Sequence, residues 1–165
     1  MKKRLLVILA LLAGLMAMAL PAQAAGDDYP YRTAAGNSAD RWGFTQRQCV
    51  SFAAWRLEQR HHAIKNSGNT WGNASHWDDA ARSKGITVSR TPKVGSIAQW
   101  NANERSAWYP SGGGTGSITA GSYGHVAYVK GIYSDGSVLV EQYNMSGDRA
   151  YSTMRVKAPR YLYWG

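Results

Sequence analysis

A single cysteine stands in this chain of 165 residues, so no disulfide can form within it. The fold must rest on its own packing, which a chain of this size can supply. A lone thiol is a bridge to another chain, an inert buried side chain or a reactive group. The surroundings of Cys49 have to decide which. Other features are missing too. The chain has no Cys pair and no His-x-x-x-His on a plausible helix face, so no metal and no cofactor is expected. The glycines around Gly114 lack a following lysine and helix, which excludes a phosphate-binding loop. Lys and Arg number 19 against 10 Asp and Glu, yet they form no dense run. Such dispersed charge suits loose attraction to an anionic matrix better than a nucleic-acid site. There is no internal repeat.

What is present begins at the N-terminus. Lys2, Lys3 and Arg4 precede an almost wholly apolar run, Leu5 to Leu20, then Pro21 and a small-x-small site, Ala22-Gln23-Ala24. This pattern reads as a secretory signal peptide over 1–24. The run is short for a retained membrane span. A single domain, 25–165, would follow. Removing Lys2, Lys3 and Arg4 from a net charge of +9 leaves +6, so the basic balance survives.

Residues 26–41 are polar and turn-rich and read as an extended lead-in. Apolar residues then recur at Val50, Ala53, Ala54, Leu57 and Ile64, with Phe52 and Trp55 flanking them. That spacing predicts a helix over 48–65, ended by Asn66-Ser67-Gly68-Asn69. A shorter helix is expected over 74–84, with Gly85 as its stop, and a short strand over 86–89. After Pro92 the period becomes two. Strands are expected over 95–100, 125–133, 138–144 and 160–164, with Ser134-Asp135-Gly136 as a hairpin turn. Residues 101–122 read as a long glycine-rich loop. Helices first and antiparallel strands after make an α+β fold, with helices packed on a sheet. Trp55 and Trp77 are core candidates. Trp42 and Trp71 are candidates for the border of a cleft.

Cys49 falls where the first helix starts. There a thiol lies over unpaired N–H groups and the positive end of the helix dipole, which lowers its pKa. The same N–H groups can stabilise an oxyanion. A base is the second need. His61 and His62 lie about 18–20 Å down the same helix at 1.5 Å per residue, too far to serve. His76 has no motif around it. His125 opens a strand directly after Gly124 and can face a helix N-terminus packed across the sheet. A third group has to orient the imidazole. Alternation puts Val138, Val140, Gln142 and Asn144 on one face and Glu141 on the other.

These segments resemble the CHAP domain, the cysteine- and histidine-dependent amidohydrolase/peptidase family of the papain-like superfamily. The resemblance runs from about Tyr29 to Trp164. It is carried by Tyr29-Pro30-Tyr31-Arg32, by Trp42-Gly43-Phe44-Thr45-Gln46-Arg47-Gln48-Cys49-Val50-Ser51-Phe52, and by Gly72-Asn73-Ala74 with Trp77. Thr91-Pro92-Lys93-Val94-Gly95-Ser96-Ile97, Tyr123-Gly124-His125-Val126-Ala127-Tyr128-Val129 and Glu141-Gln142-Tyr143-Asn144 complete it. It implies a papain-like fold, Cys49 as nucleophile and His125 as general base. It also implies an enzyme that cleaves peptidoglycan amide bonds; with the signal pattern this makes a secreted, wall-associated protein, expected as a monomer by default. The bond would be the N-acetylmuramoyl-L-alanine link or one in a stem or bridge peptide. Anionic wall polymers are candidate partners.

Two departures from the family pattern stand out. The family usually carries a glutamate two residues before the asparagine that matches Asn144, and here that residue is Gln142. Either Gln142 and Asn144 orient His125 as neutral amides, or a bulge turns Glu141 inward; alternation favours the amides. Gln48 is a candidate for the oxyanion site. The second departure is the 101–122 segment, which is either a wall of the substrate groove or an idle insertion. A non-catalytic wall-binding protein and an antibacterial effector of the same chemistry are the competing functions.

Overall fold

The computed structural model describes residues 26–165; the expected leader, 1–24, lies outside them. Helix α1 spans Cys49–Gln59 and α2 spans Trp77–Ser83, the latter entered through a 3-10 turn, Ala74–His76. The strands are β1 Thr87–Ser89, β2 Ile97–Trp100, β3 Arg105–Tyr109, β4 Gly116–Thr119, β5 His125–Ile132, β6 Val138–Tyr143, β7 Tyr151–Lys157 and β8 Arg160–Tyr163. All pairings are antiparallel, in the order β1-β8-β2-β5-β6-β7-β3-β4. The sheet curls on itself. Trp100 Nε1 on β2 donates to Ser106 Oγ on β3, at 2.8 Å, although three strands separate the two in the ladder order.

Curling gives the sheet two buried faces and the domain two cores. Alternation along β5 sends Val126 to the helix side, where it meets Phe52, Leu57, Trp77 and Leu162. Ala127 and Val129 go to the concave side with Trp100, Val138, Val140, Val156 and Tyr161. Trp55 and Trp77 are buried in the helix-side core. Helix α1 is covered on its other flank too. Tyr29 of the lead-in packs on Phe52 and Trp55 at ring separations of 5.7 and 5.6 Å. The helix is therefore buried well beyond one stripe.

Three expectations need correction. Helix α1 stops at Gln59, not at 65. His61 takes a left-handed backbone (φ 63°), and the N–H groups of His62 and His61 bond the carbonyls of Leu57 and Glu58. This is a Schellman end with histidine where glycine or asparagine is usual. Ile64 reaches the core from the following coil, so its helical spacing was coincidental. The 101–122 segment is not a loop. Strands β3 and β4 pair from Arg105↔Thr119 to Trp108↔Gly116 and extend the sheet beyond β7. Gly116 is needed there, because a Cβ would lie 2.9 Å from the Trp108 ring. Finally, β7 was not expected at all.

Candidate active site

Gln48 is the N-cap of α1, in extended backbone and without a side-chain cap bond, and Cys49 is the first helical residue. The turn before it is held open against strain. Arg47 has φ 59°, a left-handed conformation that costs roughly 1–2 kcal/mol in a non-glycine residue. Its guanidinium is tied to the carbonyls of Arg149 and Ala34 at 3.0 and 3.2 Å. The first N–H groups of the helix have no carbonyl partner inside it. Those of Cys49 and Val50 point at the thiol, as does the N–H of Val126 across the sheet edge.

His125 opens β5 beside Gly124, which has φ 72°. A Cβ on Gly124 would lie 2.5 Å from the Trp100 carbonyl oxygen and 2.6 Å from the Ser75 nitrogen. Only glycine permits this approach, which is fastened by the Ser75 N–H to the Tyr123 carbonyl at 2.9 Å. His125 is buried, opposite Trp100 in the β2–β5 register with ring centroids 5.9 Å apart. The β5–β6 ladder pairs Tyr128 with Glu141. Its continuation sets Ala127 opposite Gln142, so His125 and Gln142 are diagonal neighbours on the concave face. His125 Nε2 lies 2.9 Å from Gln142 Oε1. Gln142 Nε2 donates to Ser152 Oγ on β7 at 3.3 Å, which fixes the amide. Oε1 can only accept, so His125 Nε2 carries the proton and Nδ1 keeps its lone pair.

Glu141 faces the other core. Arg56, Lys130 and Tyr151 surround its carboxylate. The only register shift in the β5–β6 ladder is at Val129/Gly131, so nothing turns Glu141 toward the imidazole. Asn144 also departs from the expected place. It bonds not His125 but Gln48, Nδ2 to Oε1 at 2.6 Å, while its Oδ1 accepts the Arg149 N–H at 2.7 Å. It closes the turn after β6 and ties it to the N-cap of α1. Trp42 and Trp71 do not border the cleft. Trp42 is buried, with Nε1 donating to Glu58 Oε1 at 3.0 Å, and Trp71 is buried against Trp77 and Trp164. His61 is exposed and His62 stacks near Trp164, both at the far end of α1. Sequence reasoning missed Trp100 and Ser152, which pack and orient the imidazole pair; only the strand register reveals them.

Cys49 and His125 line one cavity of about 630 Å³ with Gln48, Asn73, Tyr123 and Asn144. Of the 101–122 segment only Gly121 and Ser122, past the end of β4, reach it. Burial pushes the Cys49 thiol up to about 11 against the pull of the three N–H groups. Cys49 itself is only half-buried, so water in the cavity tempers that rise. Burial also pushes His125 down to about 4, against the Gln142 hydrogen bond, which raises it. The resting pair is therefore a neutral thiol beside a neutral imidazole. Among the described residues no group of three His, Cys, Asp or Glu is placed to hold a metal ion.

Residues 39–144 match the family model described as CHAP domain. The chain is 44% identical over 112 residues to the staphylococcal secretory antigen SsaA of Staphylococcus aureus (strain NCTC 8325), covering 68% of this chain and 34% of that protein. It is 37% identical over 109 residues to secretory antigen ssaA2 of the same strain, covering 66% of this chain and 32% of the relative. The chain thus spans about a third of the length of these curated relatives. A crystal structure of an N-acetylmuramoyl-L-alanine amidase from Staphylococcus aureus shares the fold. Its TM-score is 0.56 at 24% identity, over 84% of this chain and 37% of that one.

Proposed function

The chain belongs to the CHAP domain family, and on that footing we propose that it is an exported cysteine hydrolase of peptidoglycan amide bonds. One observation carries the reading: a thiol at a helix N-terminus shares a cavity with a buried histidine whose Nε2 is pinned to Gln142. Cys49 is the nucleophile. His125 Nδ1 takes the thiol proton as sulfur attacks the carbonyl carbon, so charge separates only when substrate is present. The N–H groups of Cys49 and Val50 and the free Nε2 of Gln48 stabilise the oxyanion. The imidazolium returns its proton to the leaving amine, and water then releases the acyl group by the same route in reverse. Gln142 holds the tautomer. Asn144 acts one step back, by orienting the Gln48 amide. Export rests on the 1–24 signal pattern and is supported by relatives called secretory antigens. The domain would work as a monomer at the cell wall.

The test is digestion of purified peptidoglycan by the protein and by Cys49→Ala, with released fragments identified by mass spectrometry. Cys49-dependent release of intact stem peptides would mean muramoyl-alanine amidase activity; trimmed stems or bridges would mean an endopeptidase. Folded, reduced protein that releases nothing from several wall types would leave a wall-binding domain instead.

A further inference from the structure

Among the described residues, the cavity that holds Cys49 and His125 is lined without a single Asp, Glu, Lys or Arg. This is unusual in a chain carrying 19 basic and 10 acidic residues. Charge has been gathered elsewhere: a second cavity, about 620 Å³, is lined by Asp78, Arg82, Arg90, Glu104 and Arg160. Guanidinium groups close to the catalytic cleft are already engaged. Arg47 is bonded to the carbonyls of Arg149 and Ala34, and Arg149 to that of Ala35. The positive potential that remains is the N-terminus of α1, directed at the Cys49 sulfur.

We propose that this cleft selects an uncharged stretch of peptidoglycan, in which the stem-peptide carboxyl beside the scissile amide is carried as a carboxamide. The inference rests on the hydrolase reading above and names its substrate class. A carboxylate entering the cleft gives up water and gains no cation, which is costly. A carboxamide finds donors and acceptors of its own kind. Asn73 is exposed at the cavity wall and its side chain caps no helix. Asn69 lines the same wall.

Two preparations of one peptidoglycan test this, one with amidated stem carboxyls and one with free carboxylates. Initial rates of Cys49-dependent bond cleavage are measured for the protein and for Asn73→Lys. The amidated wall should be cut at least about tenfold faster, the factor expected when one desolvated charge goes unpaired. Adsorption cannot imitate this result, because a basic protein is drawn more strongly to the free-carboxylate wall. Asn73→Lys should narrow the ratio several-fold by hastening cleavage of the carboxylate form. Equal or reversed rates in the unaltered protein overturn the selection while leaving the hydrolase intact. A ratio unmoved by Asn73→Lys overturns its placement in this cleft. Release from neither wall by folded, reduced protein removes the hydrolase reading and this inference together.

Discussion

At the scale of single residues, two neighbours on β6 carry opposite duties. Gln142 touches the imidazole and Glu141 holds the helix-side core. Gln142→Ala should lower kcat roughly 10- to 100-fold, a part of what general-base catalysis supplies, and should cost about 1–2 kcal/mol of stability for the buried imidazole N–H left unpaired. Glu141→Ala should leave kcat nearly unchanged and cost more stability. It leaves Lys130 without this carboxylate and Arg56 with Asp28 alone, at a cost of about 3 kcal/mol, read as a shift in the urea midpoint. Titration separates the two further. In the proposed mechanism the base must be neutral, and burial holds His125 near 4, so kcat/KM should fall only as pH drops through about 4. In Gln142→Glu a carboxylate would favour the imidazolium and raise the His125 pKa. The acid limb should then move to higher pH. The same burial affects stability. The unfolded chain binds the His125 proton at its ordinary value of 6.5, the folded chain at about 4. Stability is full above 6.5 and is lost as pH falls toward 4, by about 3 kcal/mol in all. Unfolding of His125→Gln should lack that portion of the acid loss.

At the scale of elements, the seam between helix layer and sheet is made by close backbone approach. Gly124→Ala forces a Cβ into the Trp100 carbonyl and the Ser75 backbone. We expect a Tm loss of several degrees and loss of activity even where the protein folds, checked by calorimetry beside a turnover assay. The β3–β4 hairpin is a contrasting case. Deleting 111–114 from its tip should leave kcat/KM within about twofold, since no tip residue lines the cavity. Rates that collapse on every wall type would restore the groove-wall reading. Legibility in the sequence also divides by element. The strand at His125 and the split of Glu141 from Gln142 follow from period two, and the turn between the strands from Ser134-Asp135-Gly136. The β3–β4 hairpin escaped because Asn101, Asn103 and the glycines dilute its alternation. Strand β7 escaped because Tyr151–Lys157 is buried in only one position and follows a polar turn. The place of Asn144 was not legible. Its side chain direction depends on a left-handed backbone at φ 59°, where alternation no longer applies.

At the scale of the whole molecule, charge and chemistry are kept apart. The net charge is +9, while among the described residues no Asp, Glu, Lys or Arg lines the Cys49–His125 cavity. Adsorption to whole walls should therefore weaken as salt rises toward about 0.5 M, where screening acts over only a few ångströms. Turnover of a short soluble fragment should stay nearly flat over the same range. A sedimentation assay and a fragment assay on one salt series separate the two. Salt-sensitive turnover of the fragment would mean that surface charge reaches the reacting bond.

The placement of Glu141 and Gln142 on opposite faces has one more consequence. Slipping β6 by one residue exchanges every side chain between its two faces. A misthreaded molecule would set a carboxylate against His125 and an amide among Arg56 and Lys130. It would lose its buried ion pairs and raise the His125 pKa in a single error. The pH profile of turnover is thus a built-in reporter of strand threading: in a refolded population, a misthreaded fraction would show as activity whose acid limb lies at higher pH, even where bulk spectroscopy sees only β-sheet.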